Sequence, residues 1–587
     1  LSKTPQITVL DAGGQYCHLI ARRVREMGVY AEVRPSETPA SELEGRRGII
    51  ISGGPASVYE PGSPTVDPGL FSLGIPVLGI CYGMQLMAHL IEGGKVIKGT
   101  RGEYGMATLE TTVRDRLFEG FQLVSEVWMS HRDRVGETPE GFVATATTAS
   151  CPVAAMANDW QKLYGIQFHP EVVHTQGGKI ILGNFLFSIA GCAQDWEPTR
   201  QIEEIEEEIR RTARGRNVFF FASGGVDSTV AFTLCLRALG PQRVHAAYVD
   251  TGLMREGETD FVRDVFTRMA GESFEVVDAR QEFLAHLKDV VEPETKRKLI
   301  GEEFVAVQSR VLEGGQFLNG NWILGQGTIY PDTIESGGTA KAEVIKTHHN
   351  RVAGIQRLIE EGRLVEPLAQ LYKDEVRNVG RAIGLPDALL DRHPFPGPGL
   401  AIRCLGSARI EAARRASSGW ILPVLSVGVQ GDSRTYRQTL ALEQYSEDAF
   451  QTATELINHL TDVNRVVAFV AGNPSLANYA SSVCAIDEVR LERLRRADAI
   501  VRQLSVESGF EDRIWQFPVV LLPCGLPGQP DSIVLRPIDS VDGMTARAVP
   551  MPPGLLEEMS RRILAIGGIA AVFYDLTNKP PATIEWE

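Results

Sequence analysis

Cys81 sits between two glycines in Gly79-Ile80-Cys81-Tyr82-Gly83, directly after the apolar run Pro76–Ile80. A cysteine on a sharp strand-to-helix turn has the form of a nucleophile elbow, in which the turn exposes the sulfur and the glycines let neighbouring backbone approach. The helix N-terminus behind it favours the thiolate. Far downstream, His169-Pro170-Glu171 offers a base and a carboxylate to orient it. The oxyanion of an attacked carboxamide then needs backbone donors. These are expected from Tyr82, and from Gly53 or Gly54 in the Ser52-Gly53-Gly54-Pro55 turn. The chemistry of this set is removal of an amide nitrogen.

A second set begins at Ser223-Gly224-Gly225-Val226-Asp227-Ser228, with Thr229 following. It lies between the apolar run Val218–Phe221 and a helix expected from about Ser228 to Leu239. Backbone N–H groups in such a turn bind phosphate oxygens, helped by the helix dipole. Gly-Lys-Ser/Thr is absent, so this is not a Walker A loop. A loop that grips the β and γ phosphates as a unit leaves the α phosphate open to attack, with pyrophosphate leaving. Asp227 is a candidate Mg²⁺ ligand, because the leaving group needs its charge neutralised. Asp250 ends the next strand, Val244–Val249, where a nucleotide base would lie. One site would make ammonia and the other would use ATP to install it.

These residues need α/β scaffolds. Ile7–Leu10, Gly48–Ile51 and Pro76–Ile80 read as buried strands alternating with helical patterns. Trp196-Glu197-Pro198-Thr199 interrupts that grammar, and a helix follows with Ile202, Ile205 and Ile209 on one face. His393-Pro394-Phe395-Pro396-Gly397-Pro398-Gly399 is a second break, since its prolines fit neither a helix interior nor a central strand. Domains are therefore expected at 1–195, 196–395 and 396–587. The first two are doubly wound parallel sheets, flavodoxin-like and Rossmann-like, and the third is α+β.

At 587 residues the chain exceeds a single core, and 43% hydrophobic with 23% charged residues is ordinary globular usage. A net charge of −15 argues against non-specific nucleic-acid binding. No apolar run is long enough for a membrane span. The eight cysteines include no Cys-x-x-Cys pair, and no leader pattern precedes Ile7, so a cytoplasmic protein is expected.

Cys81-Tyr82-Gly83-Met84-Gln85 and Gly165-Ile166-Gln167-Phe168-His169-Pro170-Glu171 resemble the signatures of the class I glutamine amidotransferases. The resemblance implies that Cys81, His169 and Glu171 form the triad and that Gln85, Ser130 and His131 hold glutamine. Arg132 departs from the pattern, because the family has glycine after Ser-His, so the turn is rebuilt or the pocket tuned. Ser223–Ser228 resembles the ATP pyrophosphatase family, whose further ATP-facing stretch would include Asp332 and Glu335, with Lys346 on a lid over the α phosphate.

With the His-Pro-Phe-Pro-Gly-Pro-Gly-Leu run and the tail Lys579-Pro580-Pro581-Ala582-Thr583-Ile584-Glu585-Trp586-Glu587, the whole chain resembles the GMP synthase family. That implies small-molecule substrates, namely glutamine, ATP with Mg²⁺, and xanthosine monophosphate (XMP). XMP would be held by Arg297, Asp432, Gln516, Lys579 and Glu585. It also implies an adenyl-XMP intermediate, an ammonia route shielded from water, and a homodimer through the third domain, which carries extra sequence around 405–515. A glutamine-dependent NAD synthetase is the nearest alternative, but it uses a nitrilase-type amidase and lacks the Lys-Pro-Pro tail. A catalytically dead nucleotide-binding protein would not need Cys81, His169, Glu171 and Asp227 intact.

Overall fold

Apolar runs at the front of the chain become strands covered on both faces, which is why Gly48–Ile51 and Val77–Ile80 are apolar without alternation and buried throughout. The computed structural model describes residues 4–14, 16–99, 102–172, 174–335, 353–393, 395–430, 433–446, 448–460, 462–540 and 546–587. It divides into two compact units.

Unit 1 runs through Ile205 and takes in the described residues of Ile329–Glu343 and Ala369–Val379. Its nine-stranded sheet is ordered Ala31–Pro35, Ile7–Asp11, Gly48–Ile51, Val77–Ile80, Leu163–Ile166, Ala155–Asn158, Val143–Thr147, Glu103–Thr111 and Val124–His131. The first five strands are parallel. The other four pair antiparallel, extending the expected parallel sheet. The reason is local: Asn158 pairs with Leu163 across a tight turn, too short for the crossover that a parallel neighbour requires.

The helix Cys17–Glu26 packs on this sheet and buries Arg25. The Arg25 guanidinium lies 5.0, 5.2, 4.7 and 4.9 Å from the ring centres of Tyr30, Trp196, Tyr330 and Tyr372. It also pairs with Glu375 at 3.1 Å, while the Tyr330 hydroxyl accepts the Val33 N–H at 2.6 Å. Segments distant in sequence are thus fastened by one cation. Burial pushes the Glu375 carboxyl up, against the pull of Arg25.

Unit 2 contains a five-stranded parallel sheet ordered Phe274–Asp278, Val244–Asp250, Asn217–Ala222, Trp322–Gly325 and Leu364–Val365. The chain leaves the Asn217–Ala222 strand to one side and later returns to the other. The carboxyl end of that strand is therefore the topological switch point, where α/β sheets place ligands.

A seven-stranded mixed sheet follows, ordered Arg414–Ala416, Gly419–Gln430, Ser433–Leu442, Val463–Gly472, Ile569–Asp575, Asp531–Leu535 and Val519–Leu522. Leu491, Leu494 and Val501 of the helix Glu488–Glu507 and Met559 and Ile563 of the helix Pro553–Leu564 fill its core. Among the described residues, no helix is long and apolar enough to cross a membrane.

Candidate active site

Cys81 closes the Val77–Ile80 strand and caps the helix Tyr82–Leu90, with φ 53° and ψ −106°. A positive φ on a cysteine is strained backbone that the surrounding packing must hold. Gly83 makes this possible: a Cβ there would stand 2.3 Å from the Ile51 carbonyl oxygen. The Cys81 N–H donates to Ile166 at 2.7 Å, so the parallel neighbour Leu163–Ile166 fixes the elbow and leads straight into His169.

The His169 Nδ1 lies 2.7 Å from Glu171 Oε1, and both side chains are buried. The Tyr16 ring stacks edge-on against the imidazole at 5.2 Å, and the Arg23 Nε donates to the Glu171 carbonyl at 3.0 Å. Burial works against a charged imidazole, but the Glu171 carboxylate and the Cys81 thiol outweigh it and push His169 up to about 10. The pair thus favours the protonated ring, the form that can give a proton to a leaving amine.

A Cβ on Gly53 would fall 3.0 Å from the His169 Cε1 and 3.4 Å from the Cys81 Cβ, which places the Ser52–Pro55 turn directly against the pair. Ser52 anchors that turn, its Oγ accepting the Ala12 N–H and donating to the Gly53 carbonyl.

Of the predicted glutamine residues, Ser130 reaches the thiol, while Gln85 and His131 meet at the Asp133 carbonyl. The Ser130 carbonyl lies 3.6 Å from the Cys81 Sγ. Gln85 donates to the Asp133 carbonyl at 2.7 Å, and His131 sits between that carbonyl and the Glu103 carboxylate, 3.0 Å from each. Burial pushes His131 down, against Glu103. Arg132 is exposed, and it is not among the non-glycine residues of positive φ, so the turn after His131 is built without a left-handed residue. Asp133 carries the junction instead, accepting from the Ser57 hydroxyl at 2.6 Å and the Gly99 N–H at 3.1 Å. Sequence reasoning gave no role to Gln167, whose amide donates to the Cys81 Sγ at 3.5 Å, although it stands inside the quoted motif. Nor did it single out Glu103 or Asp133.

At the switch point of unit 2 the helix begins at Val226, two residues before the expected start, so Asp227 stands in its first turn. The Ser223 hydroxyl meets that of Ser228 at 3.0 Å and accepts the Gly225 N–H at 3.2 Å, while Gly224 completes the turn. Ser228 and Thr229 both donate to the Gly225 carbonyl. Asp250 ends the adjacent strand and accepts the Gly252 N–H at 2.9 Å.

The tail residues are placed by long-range pairs. Glu585 is gripped by Arg403 through two bonds of 2.9 and 2.7 Å. Arg297 donates to the Glu587 carbonyl, and the fully buried Lys296 pairs with the Glu587 carboxylate. Lys579 bridges Ala546, and Gln516 bridges Ile538, whose short strand pairs with Ala548, so both belong to one set of short ladders. Arg465 and Arg536 are fully buried, share Asp575, and donate to the Thr583 carbonyl. Arg465 showed itself in sequence only as a charge just before the apolar run Val466–Val470. Lys346 and Asp432 lie outside the described residues.

A strained cysteine elbow backed by a His–Glu pair is the site of a class I amidotransferase. Residues 8–189 match the family model "Glutamine amidotransferase class-I", and residues 504–586 match "GMP synthase C terminal domain". A probable glutamine-hydrolyzing GMP synthase of Leptospira interrogans is 43% identical, covering 99% of each chain. A glutamine-hydrolyzing GMP synthase of Thermomicrobium roseum is 41% identical, over 99% of this chain and 96% of its own. One from Aquifex aeolicus is 40% identical over 99% of each. The chain belongs to the glutamine-hydrolyzing GMP synthase family.

Proposed function

We propose that this chain converts XMP to GMP with nitrogen from glutamine, and that the residues described above divide the work. The observation that carries the reading is the Cys81 elbow, with its His169–Glu171 pair, in a chain that matches GMP synthases from end to end. The functional blocks are an amidotransferase at 1–195, an ATP pyrophosphatase at 196–395 and an XMP-binding portion at 396–587.

The Cys81 sulfur attacks the glutamine carboxamide carbon, and N–H groups of Tyr82 and of the Gly53-Gly54 turn hold the oxyanion. His169, as imidazolium against Glu171, protonates the departing nitrogen, and ammonia leaves a thioester on Cys81. Water then releases glutamate. Gln85, Ser130 and His131 hold the amino-acid end of the substrate.

At the second site, the base oxygen O2 of XMP attacks the α phosphorus of ATP and pyrophosphate leaves. Ammonia then displaces AMP from C2, giving GMP. The Ser223–Ser228 turn and the N-terminal turn of the helix beginning at Val226 bind the pyrophosphate portion, and Asp250 flanks the nucleotide. Mg²⁺ bound with ATP would supply charge neutralisation on the phosphates. Asp227, in the first turn of that helix, would hold it. Lys346 and Asp432 are assigned by resemblance to the lid and to XMP, beside Arg297, Gln516, Lys579 and Glu585.

Eight cysteines without a disulfide suit a reducing, cytoplasmic setting, where a catalytic thiol survives. A homodimer through the 396–587 portion is carried over from the family resemblance. The test of the two-site scheme is Cys81→Ala. GMP formation with glutamine should be abolished, while GMP formation with ammonium continues. Loss of both would refute the division of labour.

A further inference from the structure

The loop after Asp250 and the tail residue Glu585 meet through one aromatic ring. Arg255 lies 4.4 Å from the centre of Phe395, and Arg403 lies 5.3 Å from the same centre. Arg403 is fully buried and holds Glu585 through two bonds. Arg255 is nearly as deeply buried, its Nε 3.5 Å from the carboxylate of Asp498, which is itself fully buried. Asp498 belongs to the helix Glu488–Glu507, within the extra sequence of the C-terminal portion. One turn earlier, Arg495 donates to the Gly252 carbonyl and, at 3.1 Å, to the Met254 carbonyl. Leu400 closes the loop from the other side, its N–H donating to the Leu253 carbonyl at 2.7 Å.

Buried charges of this kind are expensive unless paired, and two guanidiniums resting on one partly buried ring are held close to it. The chain Asp498–Arg255–Phe395–Arg403–Glu585 is therefore a continuous connection from the loop after the Val244–Asp250 strand to the tail.

We propose that Phe395, with Arg255 and Arg403 on its ring, is a positioning residue that registers the loop after Asp250 against Glu585 and so aligns ATP with XMP for adenylation. The proposal rests on the assignment of these two segments to the two nucleotides. It predicts a defect of alignment and not of affinity, because the groups that touch either substrate remain in place. Misplacement of reacting atoms by about 1 Å costs on the order of 100-fold in rate.

The test is steady-state AMP formation from XMP and ATP with saturating ammonium, using the full chain. Phe395→Leu should lower kcat about tenfold or more, with the KM values of ATP and XMP changed less than about threefold. Phe395→Tyr, which keeps the ring, should restore most of the rate. Should Phe395→Leu fail to fold, Asp498→Asn gives the same reading from the other end of the connection. Wild-type kcat in these variants would overturn the proposal, as would a defect carried wholly by KM. So would a Phe395→Tyr variant as slow as Phe395→Leu. A wild-type chain that forms no AMP from XMP would instead overturn the functional reading on which the proposal stands.

Discussion

At the thiol site, the acting groups come from the ends of two adjacent parallel strands, and His169 and Glu171 stand two residues apart. At the tail, the pairs span the chain. Arg465 meets Asp575 across 110 residues, Arg403 meets Glu585 across 182, and Lys296 meets Glu587 across 291. The first site stores its geometry in backbone: a cysteine at positive φ, and glycines where nothing larger fits. The second stores it in buried ion pairs, which specify position only once the whole unit has folded. Damage to the first should therefore fall mainly on chemistry, while damage to the second should fall mainly on stability.

Gly53→Ala is the strongest test after removal of Cys81 itself. The new methyl group meets His169 and the Cys81 Cβ at 3.0 and 3.4 Å. Glutamate release should fall roughly 100-fold, with ammonium-driven GMP formation kept. An undamaged glutaminase would mean that the turn tolerates movement and that backbone fit is not what holds the site.

Asp575→Asn breaks the second kind of construction. It leaves two fully buried guanidiniums facing each other and should cost about 3–5 kcal/mol. Urea unfolding should show a lower midpoint with an unchanged slope. Burial, followed by the neighbouring Arg536, already pushes Arg465 down to about 9, so Asp575 is holding a charge in a hostile setting. A shift within experimental scatter would place the specificity of the tail elsewhere.

A pH series sharpens the contrast. His169 is pushed up from 6.5 to about 10, so its charged form is favoured by the fold. Its contribution to stability is complete below pH 6.5 and is lost as pH rises through 10. The melting-temperature gap between the wild type and Glu171→Gln should narrow across that window. A gap independent of pH would assign the effect of Glu171 to packing.

The smallest effect belongs to Lys95→Ala. Its partner Glu137 lies 3.3 Å away, but the two side chains are 61% and 64% exposed. The change in stability should be under about 0.5 kcal/mol. A larger loss would show that surface pairs in this chain act unlike ordinary exposed ones, and would weaken the distinction drawn from Asp575.

How far each construction could be read in advance follows from the same contrast. The strands Val77–Ile80 and Asn217–Ala222 were legible because a strand covered on both faces must be an apolar run. Cys81, His169 and the Ser223–Ser228 turn were legible because their chemistry needs particular residue types at fixed local spacing. The antiparallel half of the unit 1 sheet was less visible, since alternation alone does not say which neighbour a strand takes. Arg25, Arg403 and Arg465 gave no local signal of their partners, and a buried arginine in sequence looks like any surface one. Arg132 is the reverse case. The sequence suggested strain, and the fold avoids it by leaving the side chain exposed and giving the junction to Asp133.

The amino-acid sequence by itself determined the chemistry: a thiol on an elbow, a His–Glu pair, a phosphate turn and the order in which they come. Tertiary structure decided which distant charges share a buried space, and so how Glu585, Glu587 and the loop after Asp250 are held. The reason is physical. Backbone turns are fixed by neighbours within a few residues, whereas an ion pair exists only where folding has removed the water between its partners.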